Sequence, residues 1–374
     1  MKSGSRQVRG CVLAGTLVAL MTLFSIAPAY AQDDVASMGG FQSDDAAATV
    51  QADDVGATVQ ADDATAGAPE AATAQSGDAT LALASATSWH RLWGPVALDT
   101  MNSIVESKWS AGGCDTVIVA TMDGYWDALT ASGLAGLNGC PVLITNGTSL
   151  SSQTAAQISR LDPSTVYVIG GTAAVSTDVE SQIQALGAKT KRVENDNAVG
   201  TAIQVYDTGK GSWGTTAILA TSDTYQDALS ASPYAYAKHA PIFLTQSGTH
   251  EMDQRTRYAI ENSSFENVII CGGTAAISDS VDYELAEKGI HCKRLGGATA
   301  YETSATIAQY CIDQGMNADK MGVATGEDYY DALTGASFCG ANNSALVLVS
   351  DSNRSSISGF ISSNISSIAN GYVF

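Results

Sequence analysis

The chain has 374 residues, 38 acids against 18 Lys and Arg, a formal net charge of −20 and 45 % hydrophobic residues. That excess of negative charge argues against nucleic acid as a partner, because counterion displacement needs clustered cations. The seven cysteines include no CxxC pair and no Cys/His cluster, which argues against a structural zinc site.

Lys2, Arg6 and Arg9 precede an apolar run from Cys11 to Ala27 and the small-x-small site Ala29-Tyr30-Ala31. This order predicts a secretory signal over residues 1–31, cut after Ala31, and hence an exported mature chain. An uncleaved anchor is the alternative, although the run is shorter than the roughly 20 residues a membrane span needs. No later segment is apolar for long enough to cross a membrane, so no span is expected in the mature chain. Residues 32–88 hold ten acids, no Lys or Arg, and the heptapeptide AlaThrValGlnAlaAspAsp twice, at 48–54 and 57–63. Few large apolar residues are available there to offset chain entropy, which predicts a disordered acidic linker.

Beyond the linker the sequence repeats itself. The first copy runs from Arg91 through strands at 117–120, 141–145 and 165–169, with Asp127-Ala128-Leu129 after the first of them. It closes on Gly170-Gly171-Thr172-Ala173-Ala174-Val175-Ser176. The second copy has Arg192, a helical stretch at 198–206, strands at 217–220, 241–245 and 267–270, and a polar helix near 251–261. Its Asp227-Ala228-Leu229 and Gly272-Gly273-Thr274 occupy the matching places. The third has Arg294, Asp331-Ala332-Leu333 and a strand at 345–349, and reaches Phe374 where the first copy reaches Ile169. Short Val/Ile-rich strands alternating with helices predict parallel sheets covered on both faces. The expectation is therefore three tandem α/β domains, at 89–190, 191–292 and 293–374, packed on one another. The third is expected to be incomplete, lacking its Gly-Gly turn and last helix, with its final strand poorly supported.

The recurring residues are the candidate site. Asp127, Asp227 and Asp331 fall between a strand end and a helix start, where ligands bind in α/β folds; each serves either as a ligand contact or as a helix cap. Gly170, Gly171 and Thr172, with Gly272, Gly273 and Thr274, either turn backbone amides toward an anion or simply form a tight turn. Arg91, Arg192 and Arg294 either clamp a phosphate or carboxylate or pair with an acid of a neighbouring domain. The pairs Asp123/Asp127, Asp223/Asp227 and Asp328/Asp331 read more simply as turn and cap residues than as metal ligands. His90, His239, His250 and His291 do not recur between copies, and neither HExxH nor GxSxG occurs. No catalytic constellation and no cofactor are expected. Nor do the cysteines recur: Cys140 aligns with Ala240, Cys271 with Ile169 and Cys292 with Thr190, which suits small buried hydrophobes.

The series Ala-Thr-x-x-x-Tyr-x-Asp-Ala-Leu, Pro-x-Leu-x-Thr, Gly-Gly-Thr-Ala-Ala-x-Ser and Lys-Arg resembles the cell wall-binding repeat of type 2, over roughly residues 91–374. That resemblance implies Toprim-like α/β domains around a pseudo-threefold axis on an exported protein of a Gram-positive bacterium. It also implies noncovalent binding to an anionic wall polymer, a teichoic acid or secondary polysaccharide, beside an effector domain such as an amidase, protease or adhesin. The chain departs from the pattern in its third Gly-Gly turn, in the missing Lys before Arg91 and in showing no effector domain. A wall hydrolase and a structural or adhesive surface protein are the alternative readings.

Overall fold

The computed structural model describes residues 87–374; the signal and nearly all of the linker expected from the sequence lie outside them. The first unit runs α1 (Ala97–Lys108), β2 (Thr116–Thr121), α2 (Trp126–Asn138), β3 (Val142–Thr145), α3 (Ser152–Leu161), β4 (Thr165–Ile169), α4 (Thr177–Ala185) and β5 (Lys189–Val193). The second repeats that order as α5 (Ala198–Thr208), β6 (Thr216–Ala220), α6 (Gln226–Lys238), β7 (Ile242–Leu244), α7 (Gln254–Glu261), β8 (Asn267–Cys271), α8 (Ser280–Glu287) and β9 (His291–Leu295). The third comprises α9 (Ala300–Asp313), β10 (Asn317–Thr325), α10 (Tyr330–Ala341), β11 (Ser344–Val349), α11 (Arg354–Asn364) and β12 (Asn370–Val373).

Each unit builds a four-stranded parallel sheet, ordered β3-β2-β4-β5 in the first and β7-β6-β8-β9 in the second. The strands carrying Arg192 and Arg294 therefore complete the sheets that precede them, and the sequence boundaries before Lys191 and Lys293 cut through β5 and β9. In the third sheet that place is taken by β1 (Ser88–Arg91), from the opposite end of the described chain, giving the order β1-β12-β10-β11. Trp89 pairs with Gly371 and Arg91 with Val373. The last strand is thus flanked on both sides, contrary to the poor support expected for it. What the third unit lacks, among the described residues, is a counterpart of α4 and α8.

The helices opened by the repeated Asp-Ala-Leu form the centre. Residues 128–136 of α2 and 332–340 of α10 are buried without interruption, as a helix enclosed on all sides requires. Small side chains let these helices approach closely: a Cβ on Gly136 would strike the Tyr236 carbonyl of α6, and one on Gly340 the Tyr236 side chain. The three central helices touch one another, while α5 packs on α2, α9 on α6 and α1 on α10, so the contacts close into a ring. At its hub Tyr125, Tyr225 and Tyr329 stand in a near-equilateral triangle, with ring centroids 5.2, 5.5 and 5.5 Å apart. Each hydroxyl donates to a carbonyl of the next unit: Tyr125 to Asp223 at 3.3 Å, Tyr225 to Gly326 at 3.2 Å and Tyr329 to Met122 at 3.0 Å. This cyclic hand-over gives the molecule its pseudo-threefold axis. One apolar core runs through all three units, with a smaller one in the outer half of the second. No helix of the described residues is long and apolar enough to cross a membrane.

Candidate functional site at the junctions between repeats

Each repeated Asp lies in the first turn of its helix. The residues that cap these helices are Tyr125, Tyr225 and Tyr329, none with a side-chain cap bond. The carboxylates of Asp127 and Asp227 instead press against the Gly-Gly turn. A Cβ on Gly170 would collide with the Asp127 carboxyl, and one on Gly272 would lie 2.6 Å from Asp227 Oδ2. Both glycines also hold positive φ, +105° and +112°, so the turn needs glycine for conformation as well as for space. Across the junction, Asp127 faces Thr201 on α5 and Asp331 faces Thr100 on α1.

Burial raises the pKa of all three acids. For Asp127 the Thr201 hydroxyl pulls the other way; for Asp331 the Thr100 hydroxyl does the same, and Asp328 adds to the rise. Asp227, only 6 % exposed, has no such relief, and desolvation alone pushes it up to about 6.

The arginines brace the turns. Arg192 donates through Nη1 to the Gly170 carbonyl at 2.8 Å and through Nη2 to Glu180 of α4 at 2.7 Å. Arg294 donates to the carbonyls of Gly272, Ile277 and Ser278 and pairs with Asp282 of α8. Both guanidinium groups are thus spent within the sheet that their strand completes, on an acid twelve positions earlier, which belongs to the preceding repeat of the sequence. Desolvation opposes ionisation of Glu180, but hydrogen bonds from Thr190 and Arg192 outweigh it and hold its pKa below the usual value. Arg91 differs: it is exposed, and its guanidinium lies 5.9 Å from the Trp93 ring centroid.

The first Gly amide of each turn donates to the last strand, Gly170 to Val193 and Gly272 to Leu295. The next three amides, Gly171 to Ala173 and Gly273 to Ala275, have no acceptor among the described residues. At the first junction they border a cleft of about 550 Å³ lined by Trp126, Asp127, Gly171, Asn195, Asp196 and Asp253, among others. Asp127 and Gly171, candidates from the sequence, both line this cleft. The Asn195-Asp196-Asn197 loop was not among those candidates, although a polar triplet directly before a helix is a usable signal; Asn197 caps α5 by accepting from Gly200 at 2.9 Å. Asp196 is held below the ordinary carboxylate range by its hydrogen bond from Arg255. The cleft therefore offers open amides beside carboxylates, a mixture suited to a ligand bearing hydroxyl donors as well as acceptors. Among the described residues no group of three or more His, Cys, Asp or Glu could hold a metal ion. The six described cysteines are free, and five are buried.

Comparison with known proteins agrees with this architecture. The family model described as cell wall binding domain 2 (CWB2) matches residues 91–180, 192–282 and 294–373. The amidase enhancer of Bacillus subtilis is 32 % identical over 69 % of this chain and 34 % of its own length. N-acetylmuramoyl-L-alanine amidase LytC of the same organism is 28 % identical over 67 % and 48 %. The chain thus spans between a third and a half of these relatives. Among solved structures, Cwp6 from Clostridium difficile aligns with a TM-score of 0.69 at 21 % identity, over 77 % of this chain and 45 % of that one. Cwp8 from Clostridium difficile aligns at 0.68 and 23 %, over 76 % and 49 %. The three matched segments begin at Arg91, Arg192 and Arg294 and span most of the described residues: the chain belongs to the cell wall binding domain 2 family, a family of binding domains.

Proposed function

We propose that this chain holds an exported protein noncovalently on a Gram-positive cell wall, by seating an anionic wall polymer, a teichoic acid or secondary polysaccharide, in the junctions between its repeats. The observation that carries the reading is the recurrence of one costly arrangement. A carboxylate with a pKa raised by burial opens the central helix of all three units; Asp127 and Asp331 face the next unit, and Asp127 and Asp227 lie against a Gly-Gly turn with open amides. Burying an acid costs stability, and carboxylates with perturbed pKa values cluster at functional sites. Open amides suit phosphate or carboxylate oxygens, while carboxylates accept from sugar hydroxyls. The same polymer meets equivalent junctions of one molecule, so weak contacts add through effective concentration.

In this reading Asp127, Asp227 and Asp331 face the polymer with Gly171, Thr172, Gly273 and Thr274. Gly170 and Gly272 shape the turn, and Arg192 and Arg294 hold it in place. Anion binding is local to the amides, since the repeats carry 28 acids against 15 bases. The test is sedimentation of the full chain with whole walls and with walls stripped of anionic polymer. Pelleting with whole walls alone is expected; equal pelleting with both would transfer the target to peptidoglycan and refute the polymer assignment.

A further inference from the structure

The three junctions share their acid but differ around it. The residue before the acid is Trp126 in the first unit, Gln226 in the second and Tyr330 in the third, and only Trp126 is exposed. Its Nε1 donates to the Ser222 carbonyl of the second unit at 3.0 Å, and its ring packs on Tyr125 with centroids 4.4 Å apart. Gln226 makes the corresponding bridge, to the Gly326 carbonyl at 3.3 Å, with an amide alone. Joining two units therefore requires no indole, yet 43 % of Trp126 stays open at the first junction.

That indole forms part of the wall of the 550 Å³ cleft. Ser222 lines the cleft too; it is 5 % exposed, and its hydroxyl has no hydrogen-bond partner among the described residues. A buried hydroxyl without a partner is costly, and a ligand that both donates and accepts satisfies it. Its counterparts after the other Ala-Thr pairs, Met122 and Gly326, carry no hydroxyl. The polar loop Asn195-Asp196-Asn197 starts three positions after Arg192, where Gly297-Ala298-Thr299 follows Arg294 and Gly94-Pro95-Val96 follows Arg91. An open aromatic face and a set of hydroxyl-binding groups thus coincide at one junction of the three.

We infer that the first junction is a saccharide subsite, in which a pyranose ring stacks on Trp126 while its hydroxyls bond to Ser222, Asp127 and Asp196. The C–H face of a pyranose carries positive partial charge and suits the electron-rich face of an indole. Held by Tyr125 and by its bond to Ser222, the indole gives up little rotamer freedom when the sugar arrives. The carboxylates only accept, so they call for the hydroxyl donors that a sugar supplies. A bare polyol phosphate offers no ring to the indole. Resting on the assignment of the junctions to wall polymer, this subsite makes them unequal: the first selects the polymer by its sugar.

The test titrates the full chain by calorimetry with polyglycerol phosphate bearing glucosyl substituents and with the same polymer stripped of them. Wild type is expected to bind the glucosylated polymer about tenfold or more tightly. Trp126→Gln, which installs the bridging residue of the second unit, should abolish that preference by weakening the glucosylated polymer alone, whereas Trp126→Tyr should keep most of it. Ser222→Ala removes only an unpartnered hydroxyl, keeps the fold, and should narrow the preference by about threefold or more. No preference in wild type, or one that survives both Trp126→Gln and Ser222→Ala, overturns the subsite. Sedimentation with walls separates the two failures: retention on whole walls but not on stripped ones would leave the polymer reading standing without the subsite, and equal retention or none would remove both.

Discussion

Asp227 gives the sharpest test of the idea that the junction acids are kept at the expense of stability. Its carboxyl titrates near 6 in the fold against an ordinary 3.8, because it is buried without a compensating charge or hydrogen bond. The folded state therefore binds the proton more tightly than the unfolded chain, and stability falls as pH rises from about 4 to about 6. Once Asp227 is fully ionised the loss amounts to about 3 kcal/mol. Asp227→Asn keeps the shape and removes the charge. Urea unfolding followed by tryptophan fluorescence should show the variant about 2 kcal/mol more stable than wild type at pH 7.5 and nearly equal to it at pH 4. A stability difference of the same size at both pH values would refute the reasoning, since it would mean that the charge of Asp227 is not what the fold pays for.

Three further outcomes follow from the ring and its closure. Tyr225→Phe removes the hydroxyl bond to Gly326 and should cost about 1 kcal/mol in urea unfolding, whereas Tyr225→Ala, which also empties two ring contacts, should cost about 3 to 4 kcal/mol. Gly136→Ala drives a methyl group into the Tyr236 carbonyl and should destabilise by about 1 to 3 kcal/mol, seen as a lower thermal midpoint. His90→Pro removes an amide from the middle of β1, between the bonds that Ser88 and Leu92 donate to Ala369 and Val373. Hydrogen exchange should then quicken in β12 while β4 and β8 keep their protection.

Sequence and structure part company at identifiable places. The repeats, the parallel sheets and the place of Asp127 between a strand end and a helix start were readable, because each rests on local pattern or on self-similarity, whereas its contact with the Gly-Gly turn was not. The pairing of β1 with β12 was not: Ser88 and Asn370 are far apart in the chain, and no short-range signal sets such a register. Nor does a recurring arginine disclose whether it faces a ligand or braces a turn. Glu180 and Asp282 sit twelve residues upstream of their arginines, and only folding brings each pair together. The tyrosine before each Asp-Ala-Leu stood in the motif from the start, but its convergence on a common axis is a property of three units packed as a ring.

The most direct measurement is the affinity of the full chain for teichoic acid extracted from Gram-positive walls, by calorimetry, for wild type and for the triple variant Asp127→Asn, Asp227→Asn, Asp331→Asn. The variant is expected to be at least as stable at pH 7.5 and yet to bind tenfold or more weakly, because an amide accepts fewer hydroxyl donors than a carboxylate. A folded triple variant that binds as tightly as wild type would contradict the assignment of the junctions as the polymer-binding sites.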